Sequence, residues 1–229
     1  MTFKLTSNFQ PAGDQPQAIK KTLEALNAHN KHHILLGVTG SGKTFTVANV
    51  IAKLGVPALV IAPNKTLAAQ LYTEFKGLLS HDQVGFFISF YDYYQPEAYL
   101  PASDTYIAKD SSINDDIDKM RHHATRILFE EKNVVIVASV SCIYGLGSPK
   151  AYEDCCVNIT AKQQITRREL LSSLVGIQFS RNDQQLTRGG IRVRGDVIDI
   201  QAAHESDDGI RIEMFGNEIE SIIEIDPLK

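Results

Sequence analysis

Eight residues constrain this chain more than any others: Gly37-Val38-Thr39-Gly40-Ser41-Gly42-Lys43-Thr44, the pattern G-x-x-x-x-G-K-[ST]. His33-Ile34-Leu35-Leu36 ahead of it reads as a buried strand, and Lys43 to about Leu54 behind it reads as a helix. That strand-to-helix setting is what the pattern needs. Gly37, Gly40 and Gly42 let the backbone curl, so that N–H groups along Val38, Thr39 and Ser41 converge on phosphate oxygens at the positive end of a helix. In that geometry Lys43 reaches the β- and γ-phosphates, and the Thr44 hydroxyl ligates Mg²⁺. The expected chemistry is nucleotide binding.

The rest of the first 149 residues agrees with an α/β fold. Ala58–Ala62 and Asn133–Ala138 read as strands, and Thr66–Leu79 as a helix. Ile113, Ile117, Met120, Ala124, Ile127 and Leu128 recur at steps of three and four, so a helix precedes the last strand, with Ser112 and Asp115 as its expected capped start. Strands alternating with helices imply a parallel sheet. After Gly145-Leu146-Gly147-Ser148-Pro149 the texture changes. A helix from Thr166 to Gly176 opens on the pair Thr166 and Glu169, and then 191–194, 197–200 and 210–213 alternate by twos, as in an antiparallel sheet with one wet face. A domain boundary is expected near residue 150, with a small α+β domain from 151 to 229.

Charge and cysteine content narrow the classes. Residues 1–149 carry 13 Lys/Arg and 13 Asp/Glu, and residues 150–229 carry 10 and 14, so neither half is a basic nucleic-acid-binding body. No apolar run approaches the ~20 residues of a membrane span, and no membrane partner is expected. Cys142, Cys155 and Cys156 make no disulfide framework; the adjacent pair reads as packing, and the expected address is a reducing cytoplasm. Hydrolysis also needs a carboxylate at a neighbouring strand end. The second strand runs into Pro63-Asn64 and the third into Ser139, no Asp-Glu dipeptide occurs, and no arginine finger is identifiable. Binding is supported; a complete catalytic set is not.

Five of the eight tyrosines, Tyr91, Tyr93, Tyr94, Tyr99 and Tyr106, fall within 16 positions beside Pro96, Pro101 and several acids. Such a stretch makes a poor buried strand. It suits either base stacking on an exposed hairpin or a tyrosine-rich edge packed on its own domain. Arg181, Arg188, Arg192 and Arg194 cluster within an acidic region, either as a solvated face or as a docking patch for an acidic partner.

Together these stretches resemble the N-terminal part of the UvrB family, the damage-verifying subunits of bacterial nucleotide excision repair. The resemblance rests on Phe9–Pro16, the Gly37–Thr44 loop, Ala62–Ala68, Tyr91–Tyr99, Ser139–Gly147 and Arg192–Asp196. It implies a RecA-like lobe of the superfamily 2 helicase type that binds ATP with Mg²⁺, with Phe9 stacked on adenine and Gln15 reading its edge. It implies a β-hairpin over about 90–113 that probes damaged DNA through Phe90, Tyr91, Tyr93, Tyr94, Tyr99 and Tyr106. Phe9 and Phe90 stand where many relatives carry Tyr. The remaining domain would dock UvrA through Arg181, Arg192, Arg194 and Glu213. The family's acid-bearing strand motif, second RecA-like lobe and UvrC-docking end are not among these 229 residues, so hydrolysis, strand separation and UvrC recruitment are not expected of them. The competing readings are an interaction module that binds UvrA without ATPase activity, and a stand-alone P-loop NTPase.

Overall fold

The computed structural model describes residues 3, 5–79, 83–89, 91–95, 98–101, 103, 105–107, 110–145, 147–204 and 208–227. The chain divides into two compact units, Met1–Ile143 and Tyr144–Lys229. In the first, the elements run α1 (Gln15–Asn27), α2 (Lys43–Leu54), β1 (Ala58–Ala62), α3 (Lys65–Leu78) and β2 (Val84–Phe87). Four short strands follow, β3 (Tyr91–Gln95), β4 (Ala98–Leu100), β5 (Thr105–Ile107) and β6 (Asp110–Ile113), and then α4 (Asp115–Glu130) and β7 (Val135–Ser139).

The sheet is parallel, in the order β1-β7-β2, with Ala58 and Val84 both in register with Val135 on the central strand. Alternate residues serve opposite layers. Val84, Phe86, Val135 and Val137 join Ala48 and Ile51 of α2 and Ala68 and Phe75 of α3 in one core. Gly85 meets α4: a Cβ there would come within 2.9 Å of the Ala124 Cβ and 2.7 Å of Ile136 Cδ1, so only glycine lets this helix close on the strand. Asn64 caps α3 by accepting from the Leu67 N–H, and Asn114 caps α4 by accepting from the Ile117 N–H. The expected cap at Ser112 is thereby corrected. Ser112 lies in β6, and Asn114 offers the carbonyl oxygen that reaches the third N–H.

A second correction concerns His33–Leu36. It forms no strand; Ile34 is 80% and Leu36 89% exposed. An apolar run becomes a strand only where another strand meets its N–H and C=O groups, and among the described residues none lies alongside it.

The second unit contains α5 (Pro149–Asp154), α6 (Arg167–Gly176) and a five-stranded sheet. Its strands are β8 (Ser180–Arg181), β9 (Gly190–Arg194), β10 (Val197–Gln201), β11 (Gly209–Phe215) and β12 (Glu218–Ile225), in the order β12-β11-β10-β9-β8. All neighbours are antiparallel except β8 and β9. Gly195 and Gly216, at φ of 63° and 62°, turn the two tight hairpins. Ile191, Ile198, Ile200 and Ile212 pack against Leu170 and Leu174 of α6. Thr166 and Glu169 form a full capping box at the start of that helix, as their spacing predicts. Cys155 and Cys156 are both exposed at the end of α5, which corrects the expectation that they pack. No helix among the described residues is long and apolar enough to cross a membrane.

Candidate functional site

The glycine-rich loop leads directly into α2, with Gly42 as its N-cap at φ 74° and Gly40 at φ 79°. Both values lie in the region that a Cβ disfavours. The loop is closed from several sides. Ser41 donates from Oγ to the Val38 carbonyl at 2.8 Å, and Lys43 Nζ donates to the Gly37 and Val38 carbonyls at 2.9 and 2.8 Å. Gln15, on the first turn of α1, donates from Nε2 to the Ser41 carbonyl at 2.9 Å and accepts from the Ala12 N–H. A Cβ on Gly42 would collide with that amide, and one on Gly37 would lie 2.6 Å from Ser41 Oγ. The cradle therefore exists only because glycines line it. Thr44 occupies the second position of α2 and is half-buried, while Val38 and Thr39 are exposed at the loop crest. Phe9 is exposed near the start of α1.

This arrangement can receive polyphosphate. Free N–H groups at a helix start favour anions, and Lys43 can exchange two carbonyl acceptors for phosphate oxygens at little cost. Among the described residues, no group of three or more His, Cys, Asp or Glu side chains could hold a metal ion by itself. The residue types that fit Mg²⁺ are the Thr44 hydroxyl and the phosphates that the loop would hold.

The tyrosine block forms a nested hairpin. β3 pairs antiparallel with β6, placing Tyr91 opposite Ile113, Tyr93 opposite Ser112 and Tyr94 opposite Ser111. Farther out β4 pairs with β5, and Tyr99 faces Tyr106 across the ladder, both side chains exposed. Phe90 lies outside the described residues. At the hairpin's root is a residue that pattern reading passed over, Arg121 on α4. It is buried, donates from Nη1 to the Ile88 carbonyl at 2.6 Å, and stacks its guanidinium 4.0 Å from the centre of the Phe87 ring. Burial lowers its pKa, against the raising effect of Asp118. It ties α4 to the chain just before β3.

In the second unit, cross-strand register sets Arg192, Asp199 and Arg211 in one row, and Arg194, Val197 and Glu213 in the next. Asp199 is 2% exposed and accepts from Arg192 at 2.8 and 3.0 Å and from Arg211 at 2.7 Å. Burial pushes its carboxyl up, but the hydrogen bonds and charges of Arg211 and Arg192 outweigh burial and hold it below the usual carboxylate value. Arg192 is only 9% exposed and is committed to this triad, so it is not the free docking charge its position suggested. Its buried state follows from the Asp199 carboxylate directly across the strand pair. Arg194 is exposed on the same face, and Glu213 is half-buried and accepts from Ser221 Oγ at 2.8 Å. Arg181 lies elsewhere. Register places it beside Ile191, facing α6, with its guanidinium clamped in two parallel bonds on Asp183.

A glycine-lined loop that opens a helix packed on a parallel sheet defines a P-loop protein. Residues 8–187 match the family model described as type III restriction enzyme, res subunit, and residues 157–229 match the model described as UvrB interaction domain. The chain belongs to this helicase-like family, in its UvrB branch. It is 58% identical over 227 residues to UvrABC system protein B of Syntrophotalea carbinolica, 58% over 226 to that of Caldanaerobacter subterraneus subsp. tengcongensis, and 55% over 226 to that of Bacillus subtilis. Each comparison covers 99% of this chain and 34% of the relative, so the chain spans about a third of the length of the curated relatives it matches.

Proposed function

We propose that this chain carries the ATP-binding, DNA-probing and UvrA-docking functions of a UvrB-type excision repair protein. The loop at Gly37–Thr44 holds the ATP phosphates, Lys43 neutralises the β- and γ-phosphates, and Thr44 supplies a hydroxyl to Mg²⁺. Phe9 stacks on the base and Gln15 reads its edge. Tyr91, Tyr93, Tyr94, Tyr99 and Tyr106, with Phe90, stack against bases of damaged DNA that UvrA delivers. Arg181, Arg194 and Glu213 belong to the UvrA-docking domain, with Arg192 acting through Asp199. The observation that carries this reading is the loop itself, with two left-handed glycines and the Gln15 amide seated against the Ser41 carbonyl.

Binding is separate from turnover. Among the described residues no acid stands at the C-terminal end of a strand of the parallel sheet: β1 runs into Pro63, β2 into Ile88, and β7 ends at Ser139. These residues orient and charge-balance ATP–Mg²⁺ but offer nothing to position an attacking water. Calorimetric titration with ATP–Mg²⁺ tests the reading. The expected result is weak saturable binding, lost in Lys43→Ala and reduced when Mg²⁺ is chelated, with no turnover above background. Steady hydrolysis that Lys43→Ala abolishes would overturn the separation, and absence of any binding would overturn the site.

A further inference from the structure

Resting on the reading that the second unit docks UvrA, we propose that the groove between α6 and the β8–β9 edge receives an acidic segment of that partner carrying an aliphatic anchor. The groove holds about 560 Å³, with Arg167, Arg168 and Arg181 on its rim and Leu171, Val175 and Ile191 beneath. It is separate from the open face that carries Arg194 and Glu213, because Arg181 shares the α6 side of the sheet with Ile191.

Three features select this occupant. Helical spacing gives α6 two apolar stripes: Leu170 and Leu174 go into the core, while Leu171 and Val175, four residues apart, line the groove. Val175 is 53% exposed in the last turn, so the second stripe has apolar surface left to cover. The rim is cationic. Arg181 is held in place by Asp183, which accepts both its Nε and Nη2 bonds and also the Val193 N–H. Arg167 donates to the Gly195 carbonyl at 2.7 Å and has only an exposed, 3.8 Å pairing with Asp196. Arg168 makes no ion pair among the described residues. Two anchored guanidinium groups, Arg167 and Arg181, with Arg168, unpaired among the described residues, beside an apolar floor, match carboxylates flanking an aliphatic side chain, a small anchor within a charged rim. Nucleic acid fits less well, because residues 150–229 carry 14 acids against 10 bases and an apolar floor offers a phosphate backbone nothing.

The test is UvrA binding by the whole chain, measured by biosensor across salt concentrations, with circular dichroism confirming that each variant folds. Arg168→Glu combined with Val175→Glu alters the groove and leaves the open face intact. Ser172→Trp, at an exposed groove-lining position, fills it without changing charge. Each is expected to weaken UvrA binding by about tenfold or more, and the doubly substituted chain should also show a shallower salt dependence. A folded groove variant that binds UvrA as the wild type does would overturn the proposal. If Arg194→Glu alone abolishes binding in that case, the docking reading stands without the groove. A wild-type chain that binds no UvrA would remove the docking reading and the groove together.

Discussion

Two apolar stretches of this molecule meet opposite fates. Val197-Ile198-Asp199-Ile200 in β10 is fully paired, with Ile198 at 0% exposure, whereas His33-Ile34-Leu35-Leu36 is unpaired and open to water. The difference lies in where the partners come from. β9 reaches β10 through a tight turn at Gly195-Asp196, so the neighbouring strand is local in the chain. In the parallel sheet β1 pairs with β7, and Ala58 must find Val135 across the whole intervening chain. An antiparallel meander brings its own edges; a parallel strand depends on distant ones.

The largest effect should come from the charge at the centre of the meander. Asp199→Asn leaves Arg192 buried without its charge partner, and removing one member of a buried ion pair costs about 3–5 kcal/mol. Hydrogen exchange at the amides of β9, β10 and β11 would report it. The pH dependence has a definite sign. Because the folded Asp199 carboxyl lies below its unfolded value, the unfolded chain binds the proton more readily. The stabilisation is complete above about pH 5 and disappears as pH falls through the folded value. Asp199→Asn should flatten that acid limb; an unchanged limb would mean the triad contributes little and the meander rests on its apolar side alone.

Next in size is the apolar side. Ile198→Ala removes a fully buried side chain packed between Leu170 and the other sheet isoleucines, at a cost of about 2–5 kcal/mol. An unfolding free energy, from denaturant titration, that falls by less than about 0.5 kcal/mol would show a core loose enough to collapse around the gap. These two substitutions sit on adjacent residues and opposite faces, so in combination they test whether the faces act independently.

What could be read from residues alone follows the same division. The loop at Gly37–Thr44, α2, β1, α3 and β7 stand close to where spacing and composition put them, because each signal is local. So does the Thr166–Glu169 capping box. β12 escaped because Glu218-Ile219-Glu220-Ser221-Ile222-Ile223 breaks its alternation, and pairing with β11 shifts register at Glu213 and Met214 to absorb the break. α1 escaped because Ile19 is its only buried residue. The roles of Arg121 and Arg192 were not legible as charge patterns. An arginine's burial is decided by a carbonyl 33 residues away in one case and by a carboxylate across a strand pair in the other.

The smallest effect is the sharpest test of the contrast. Ile34→Ser and Leu36→Ser remove side chains that bury almost nothing in this fold, so each should change stability by no more than about 0.5 kcal/mol. The neighbouring loop should also be little affected. Its closure runs through Lys43 and Gln15, from α2 and α1, and through Ser41, none of which touches 34 or 36 by hydrogen bond. ATP affinity should therefore move by less than about threefold. A stability loss of 2 kcal/mol or more in either variant, beside an unchanged loss for Ile198→Ala, would mean that the run before the loop is buried as a strand after all. The two stretches would then differ in the length of chain between partners and not in whether they are paired, and phosphate binding would inherit the rigidity of a sheet strand as well as that of a helix start.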